Sequence, residues 1–287
     1  MSKSILSFII IFLLLSSCAS VLHPWATVNT WPMYGNIEFP PEVVKINDKF
    51  ISAQIEQFGS ADSASKIYND LGWHYLNKGK NDTAIRRFNQ AWLLDSTNAS
   101  PYFGFAAYSE LISKADPNKY IKMGVKRDNN KKSEIFYLQN MAIYYQYTGR
   151  IPQSISYYNR VLNLAPNDTL AIKQRGHIFT AQEEWDKALL DLNRAVELGV
   201  NNYFTYDKLG YVYMNLGNDN LALKYYAKSI ELYPDFLYPL YRSSILYLKL
   251  GNPEKALEYI NRCLAIKNGE EQFIRTKNEI LSSLNNK

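Results

Sequence analysis

Two cysteines in 287 residues, Cys18 and Cys263, leave room for one disulfide at most and exclude a disulfide-stapled scaffold. Glycine and proline are scarce, 13 and 11 residues, so collagenous and low-complexity segments are excluded as well. Neither sign of charge dominates. Lys plus Arg number 32 against 27 Asp plus Glu, a surplus too small and too spread out for dedicated nucleic-acid binding or a polybasic membrane patch. The longest apolar run, Ile5 to Leu15, falls short of the roughly 20 residues that a membrane-spanning helix needs. Sequence motifs that carry a mechanism are missing: there is no Walker loop, GxGxxG, HExxH or GxSxG elbow. The three histidines, His23, His74 and His177, stand apart, and no His/Cys/carboxylate cluster has metal-ligand spacing. No catalytic residue, metal or cofactor is therefore expected, and a non-enzyme is the favoured class. What the chain has in quantity is apolar and aromatic surface, 47% hydrophobic residues with 23 tyrosines, enough to bury sizeable cores.

The N-terminus reads as an address. Lys3 precedes the apolar run, and Ser16 and Ser17 supply small residues before Cys18, the pattern of a cleaved secretory signal over 1–17. Leu15-Ser16-Ser17-Cys18 resembles the lipobox of bacterial lipoproteins, of a Bacteroidetes-like type. The resemblance implies that the Cys18 thiol carries a diacylglycerol and that the new amine is acylated too, with palmitate or a similar chain. Several acyl chains bury enough methylenes, at about 0.8 kcal/mol each, for stable anchoring. Ala19 follows the cysteine where Asp would favour inner-membrane retention, and Ser20 to His23 holds no acidic cluster that would resemble a surface-export signal. The implied location is the bacterial outer membrane, facing the periplasm.

The remainder repeats. Leu71-Gly72, Tyr75, Gly79, Ala84, Phe88 and Ala91 recur as Leu209-Gly210, Tyr213, Gly217, Ala222, Tyr226 and Ser229. The same frame, with a period of roughly 34 residues, also catches Gly149, Tyr158, Gly176, Ala188, Gly251, Ala256 and Cys263. Small residues recur where two antiparallel helices approach closely, and aromatic and aliphatic residues fill the other contact positions at helical spacing. Prolines 101, 117, 152, 239 and 253 fall in predicted first helical turns, and Pro166 and Pro234 fall between units.

These residues and spacings resemble the tetratricopeptide repeat (TPR). The resemblance implies an all-α, right-handed α-α superhelix of about six hairpins over 65–270, with units at 65–98, 99–134, 135–168, 169–202, 203–236 and 237–270. The unit at 99–134 is degenerate. An N-terminal helix is expected at 48–64, a capping helix at 271–287, and a lipid-anchored tether, partly structured, at 18–47. That tether carries Trp25, Trp31, Met33, Tyr34 and Phe39, apolar surface that is costly to leave in water, so its second half is expected to pack on the body or on a partner. Cys263 takes a small-residue position and reads as a buried free thiol. Asp62, Asp82 and Asp168 precede Ser or Thr at predicted helix starts, where capping explains them as well as modification does.

Function in this family resides on the inner face of the first helices. On the resemblance, the candidate binding residues there are Gln139, Lys173, His177, Phe204, Asp207, Tyr211, Tyr238 and Tyr241. Lys173, His177 and Asp207 form a polar centre among aromatics, which suits a peptide or partner helix. The carboxylate clamp of chaperone-binding TPR domains is not reproduced, since the first unit has Asn69 and Trp73 at its positions. Arg175 beside Gly176, with Asp191 in the partner helix, resembles a TPR variant in which the two charges pair inside the hairpin, as a buried charge requires. The expected function is a membrane-anchored adaptor gripping a segment of an unidentified envelope protein or peptide. A glycan or lipid fragment is the alternative ligand.

Overall fold

The computed structural model describes residues 29–285, which form fourteen α-helices and no strand. The expected signal peptide at 1–17, the lipidation at Cys18 and the first part of the tether lie outside the described residues. The chain divides into two compact units, the first ending at Tyr144 and the second beginning at Tyr145.

The first unit begins with a docked segment. Its 3-10 turn, Pro32–Asn36, runs through left-handed backbone at Met33, Tyr34, Gly35 and Asn36, with φ of 53°, 51°, 70° and 58°. Only glycine adopts that region without cost. Asn89, fully buried, holds the turn in place: its Nδ2 donates to the carbonyls of Asn29 (3.0 Å) and Trp31 (2.9 Å), and its Oδ1 accepts from the Tyr34 amide (3.4 Å). The Tyr34 ring then meets Phe39 edge-on at 5.2 Å. The second half of the tether thus packs on the body.

Helix α1 spans Pro41–Phe58 and α2 Ala61–Asn77. The expected helix at 48–64 is corrected on both sides. Pro41, at the first helical position after Pro40, starts α1 earlier, and Gly59, at φ 84°, ends it before Ser60 caps α2. Phe50, Ile51 and Phe58 of α1 pack on Ala64, Tyr68 and Leu94. Helix α3, Asn81–Leu94, closes a hairpin with α2. Gly72 and Gly104 flank the Phe88 ring so closely that a Cβ on either would come within 2.5 Å of it. The next hairpin departs from the pattern. Its first helix, α4 (Ser100–Tyr108), runs into a π turn at Ser109–Ser113, and its second, α5 (Asn118–Val125), has eight residues. Helix α6, Lys132–Tyr147, follows, with Tyr137 stacked on Phe103.

The second unit is more regular: α7 (Ile151–Leu164), α8 (Thr169–Ala181), α9 (Trp185–Glu197), α10 (Tyr203–Asn215), α11 (Asp219–Leu232), α12 (Leu237–Lys249), α13 (Pro253–Ile266) and α14 (Glu271–Asn285). Helices α8/α9, α10/α11 and α12/α13 are hairpins. In α10/α11 the close approach falls at Gly210, where a Cβ would lie 2.5 Å from the Tyr226 ring. The turns that join first to second helices use Gly217 and Gly251 at φ 76° and 75°; in α8/α9 the same place is taken by Glu183 at φ 60°. Side-chain caps start α8, α10, α11 and α13, from Asp168, Asn202, Asn218 and Asn252. Asp62 and Asp82, expected as caps, instead lie in first helical turns, where Ser60 and Lys80 hold the cap positions. Helix α14 buries Phe273 and Ile280 on Ile260 and Cys263 and so covers the last hairpin. Cys263 is a free thiol with no exposure, and burial pushes its pKa up to about 11, which leaves it unreactive.

Candidate functional site

Helices α8, α10 and α12 follow one another as the first helices of successive hairpins, and α10 touches both of the others. Their residues meet across these contacts. The His177 ring of α8 stands edge-on to Phe204 of α10 at 4.9 Å and 83°, and the Lys208 ammonium lies over the Phe204 ring at 4.6 Å. One turn along, Asp207 is buried at 1% exposure, and Arg242 of α12 donates from Nη1 to its Oδ1 at 2.8 Å. Lys208 Nζ stands 3.7 Å from Asp207 Oδ2, an ion-pair separation. The Arg242 guanidinium is also 4.4 Å from the Tyr211 ring centre and 5.4 Å from that of Tyr238. Trp185, at the start of α9, meets Tyr211 edge-on.

Burial sets the electrostatics. It lifts the Asp207 carboxyl above its ordinary value, with Arg242 and Lys208 acting against that rise. It lowers the Lys208 ammonium, with Asp207 opposing. His177 is driven down to about 3, first by burial and then by the charges of Lys208 and Lys173, so its imidazole is neutral at physiological pH. The site therefore consists of three cations, a neutral histidine, one buried carboxylate and a set of aromatic faces.

Of the residues expected from the sequence, Lys173, His177, Phe204, Asp207, Tyr211 and Tyr238 come together here. Phe204 and Tyr238 are 38% and 61% exposed. Tyr241 points elsewhere: its ring packs on Phe273 of α14 at 5.2 Å, and its hydroxyl accepts from Gln272 at 2.9 Å, so it serves the cap. Gln139, half-buried in α6, belongs to the first unit. Arg175 and Asp191 form a bidentate pair, both bonds 2.7 Å, inside the α8/α9 hairpin, and Arg175 donates to Asn159 as well. Sequence reasoning missed Lys208 and Arg242. It also missed the aromatic cluster that continues the face past Phe204, where Tyr203, Tyr233 and Phe236 touch one another and Phe236 reaches Tyr238. Among the described residues, no group of three or more His, Cys, Asp or Glu is placed to hold a metal, and no helix is long and apolar enough to cross a membrane.

Antiparallel helical hairpins in series, with a recurrent small residue at each close approach and a terminal capping helix, define an α-helical repeat solenoid. Two stretches, 203–236 and 238–269, each match a family model for the tetratricopeptide repeat, and the chain is a TPR protein. Solved structures share the fold. YrrB, described as a TPR protein with an unusual peptide-binding site, is 20% identical and covers 67% of this chain and 97% of its own, with a TM-score of 0.53. MamA is 18% identical over 53% of this chain and 82% of its own, at 0.50. The Cut9-Hcn1 hetero-tetramer of the APC/C is 16% identical over 84% of this chain and 46% of the matched one, at 0.51. No curated protein matches the chain.

Proposed function

We propose that the protein is a lipid-anchored adaptor of the bacterial outer membrane, facing the periplasm, that holds a segment of an envelope protein across the face of α8, α10 and α12. The observation that carries this reading is the pair of exposed aromatic rings, Phe204 and Tyr238, set beside Lys208 and Arg242 and continuous with the cluster at Tyr203, Tyr233 and Phe236. Large aromatics left in water next to cations are costly as surface and effective as anchors for a partner chain. YrrB, of the same fold, is described as having a peptide-binding site. TPR proteins in general act as scaffolds for other proteins, and the reading assigns this chain no catalytic step. The anchor rests on the resemblance of Leu15 to Cys18 to a lipobox.

A photo-crosslinking residue at position 238 should capture a protein in the living cell, and the same residue at position 190, where Leu190 is 72% exposed on a second helix, should not. Phe204→Ala should cut the yield about fivefold or more, as loss of an aromatic anchor commonly costs about 1 kcal/mol or more, while leaving the unfolding midpoint nearly unchanged. Equal capture at the two positions refutes the face. Fatty-acid labelling that persists in Cys18→Ser refutes the anchor.

A further inference from the structure

Helices α8, α10 and α12 together hold five cationic side chains, Lys173, Arg175, Lys208, Arg242 and Lys249, against one acidic residue, Asp207. Two of the cations turn away from the face and are neutralised by second helices: Arg175 by Asp191 of α9, and Lys249 by Asp219 of α11 at 2.7 Å. That leaves Lys173, Lys208 and Arg242. Their one carboxylate, Asp207, is 1% exposed and lies against Lys208 and Arg242, bonded to the latter. Lys173 makes no ion pair among the described residues. The surface these three helices present is therefore positive, and two of the positive groups, Lys208 and Arg242, lie over or beside aromatic rings. Lys208 spreads over Phe204, and Arg242 over Tyr211 and beside Tyr238, with side-chain exposures of 24% and 19%.

We infer that the segment held on this face is an acidic peptide whose carboxylates alternate with apolar side chains. The inference deepens the adaptor reading above and rests on it. A carboxylate arriving at Lys208 or Arg242 meets a half-dehydrated cation already held by a ring and by Asp207, so little side-chain freedom remains to be lost on binding. An apolar neighbour in the same peptide meets Phe204, Tyr238 or the cluster at Phe236. A basic segment finds three like charges and no accessible carboxylate among these helices, and repulsion of that kind excludes wrong partners as effectively as attraction selects right ones. His177 adds no charge of its own at neutral pH, so the preference belongs to the three cations.

The test is selection from a random 12-residue peptide library displayed on phage, against the immobilised, detergent-solubilised full-length protein. Enriched peptides should carry Asp and Glu at least twice as often as the starting library, together with aromatic or aliphatic residues. A synthetic enriched peptide should weaken at least fivefold in affinity between 50 and 300 mM NaCl, roughly the range over which screening removes exposed charge attraction. Lys173→Glu should lower its affinity at least fivefold, and Lys208→Met, which places no new charge beside Asp207, should lower it as well, both with unchanged circular dichroism. Enrichment that depends on Phe204 and Tyr238 but shows no acidic bias, or binding indifferent to salt, overturns the inference and leaves the adaptor reading standing. No enrichment at all overturns both.

Discussion

Glu183 is a direct test of whether the repeat frame governs the turn. It occupies the place that Gly217 and Gly251 hold in the next two hairpins, with φ of 60° against 76° and 75°. The turn is the same one: the Glu183 amide donates to Thr180 and the Glu184 amide to Phe179, as Gly217 donates to Met214 and Asn218 to Tyr213. A non-glycine residue in left-handed backbone costs about 1–2 kcal/mol. The Glu183 side chain is exposed and makes no ion pair or hydrogen bond among the described residues, so removing it forfeits no contact. Glycine at 183 should release the strain, and the extra freedom of the unfolded chain should take back about 0.4–1 kcal/mol. The net expectation for Glu183→Gly is a gain of about 0.5–1 kcal/mol. Gly217→Glu should lose a comparable amount through backbone alone, because a Cβ there meets nothing within 4 Å. Urea unfolding followed by circular dichroism should show midpoints moved in opposite directions by roughly 0.2–0.4 M. Hydrogen exchange should place the gain in α8 and α9, since repeat stability is largely local. A midpoint that falls or stays fixed for Glu183→Gly refutes the argument.

Two more predictions concern buried polar groups. His177 stays neutral in the folded chain down to about pH 3 but binds a proton near 6.5 when unfolded, so the unfolded state binds more protons between those values and stability falls on acidification through that window. The loss between pH 7 and pH 5 should be about 2 kcal/mol and should be absent in His177→Gln, measured by denaturant titration at each pH. Asn89→Ala leaves the carbonyls of Asn29 and Trp31 without their shared donor; it should cost about 1–3 kcal/mol and expose residues 29–39 to limited proteolysis, whereas equal protection in both proteins contradicts the clamp.

The hairpins were legible because their defining residues are sterically exacting. Gly210 admits no Cβ against Tyr226, and such demands recur with the period wherever helices cross. The turn at Glu183 was not legible, because the hydrogen bonds and the helices on either side impose the same geometry on a residue that does not favour it. Helix α1 was placed too late although Pro40-Pro41 marks its start, since the apolar pattern from Phe50 outweighed the proline signal. At the site, residues whose side chains rise straight from the face, such as His177 and Phe204, could be placed by position alone. Lys208 and Arg242 could not, because long side chains lean sideways onto neighbouring rings and carboxylates; the available signal was a carboxylate and a guanidinium 35 residues apart, one period plus one. Tyr241 showed the reverse problem. It has the spacing of a binding residue, but the cap helix brings Phe273 and Gln272 to meet it.

The Asn89 clamp also changes the geometry of search. Counted from Cys18 to Pro40, just before α1, the linker to the body could extend about 75 Å. With Asn29 and Trp31 fastened to α3, residues 29–40 no longer count toward that length, which falls to about 35 Å. Under the proposed lipid anchor, the first unit would then stay within that distance of the bilayer. Because the effective concentration of tethered partners falls at least as the three-halves power of linker length, a shortening of this size would raise it about threefold for anything anchored in the same leaflet. One buried amide would thus act on encounter frequency with membrane neighbours, at a distance from any surface that touches them.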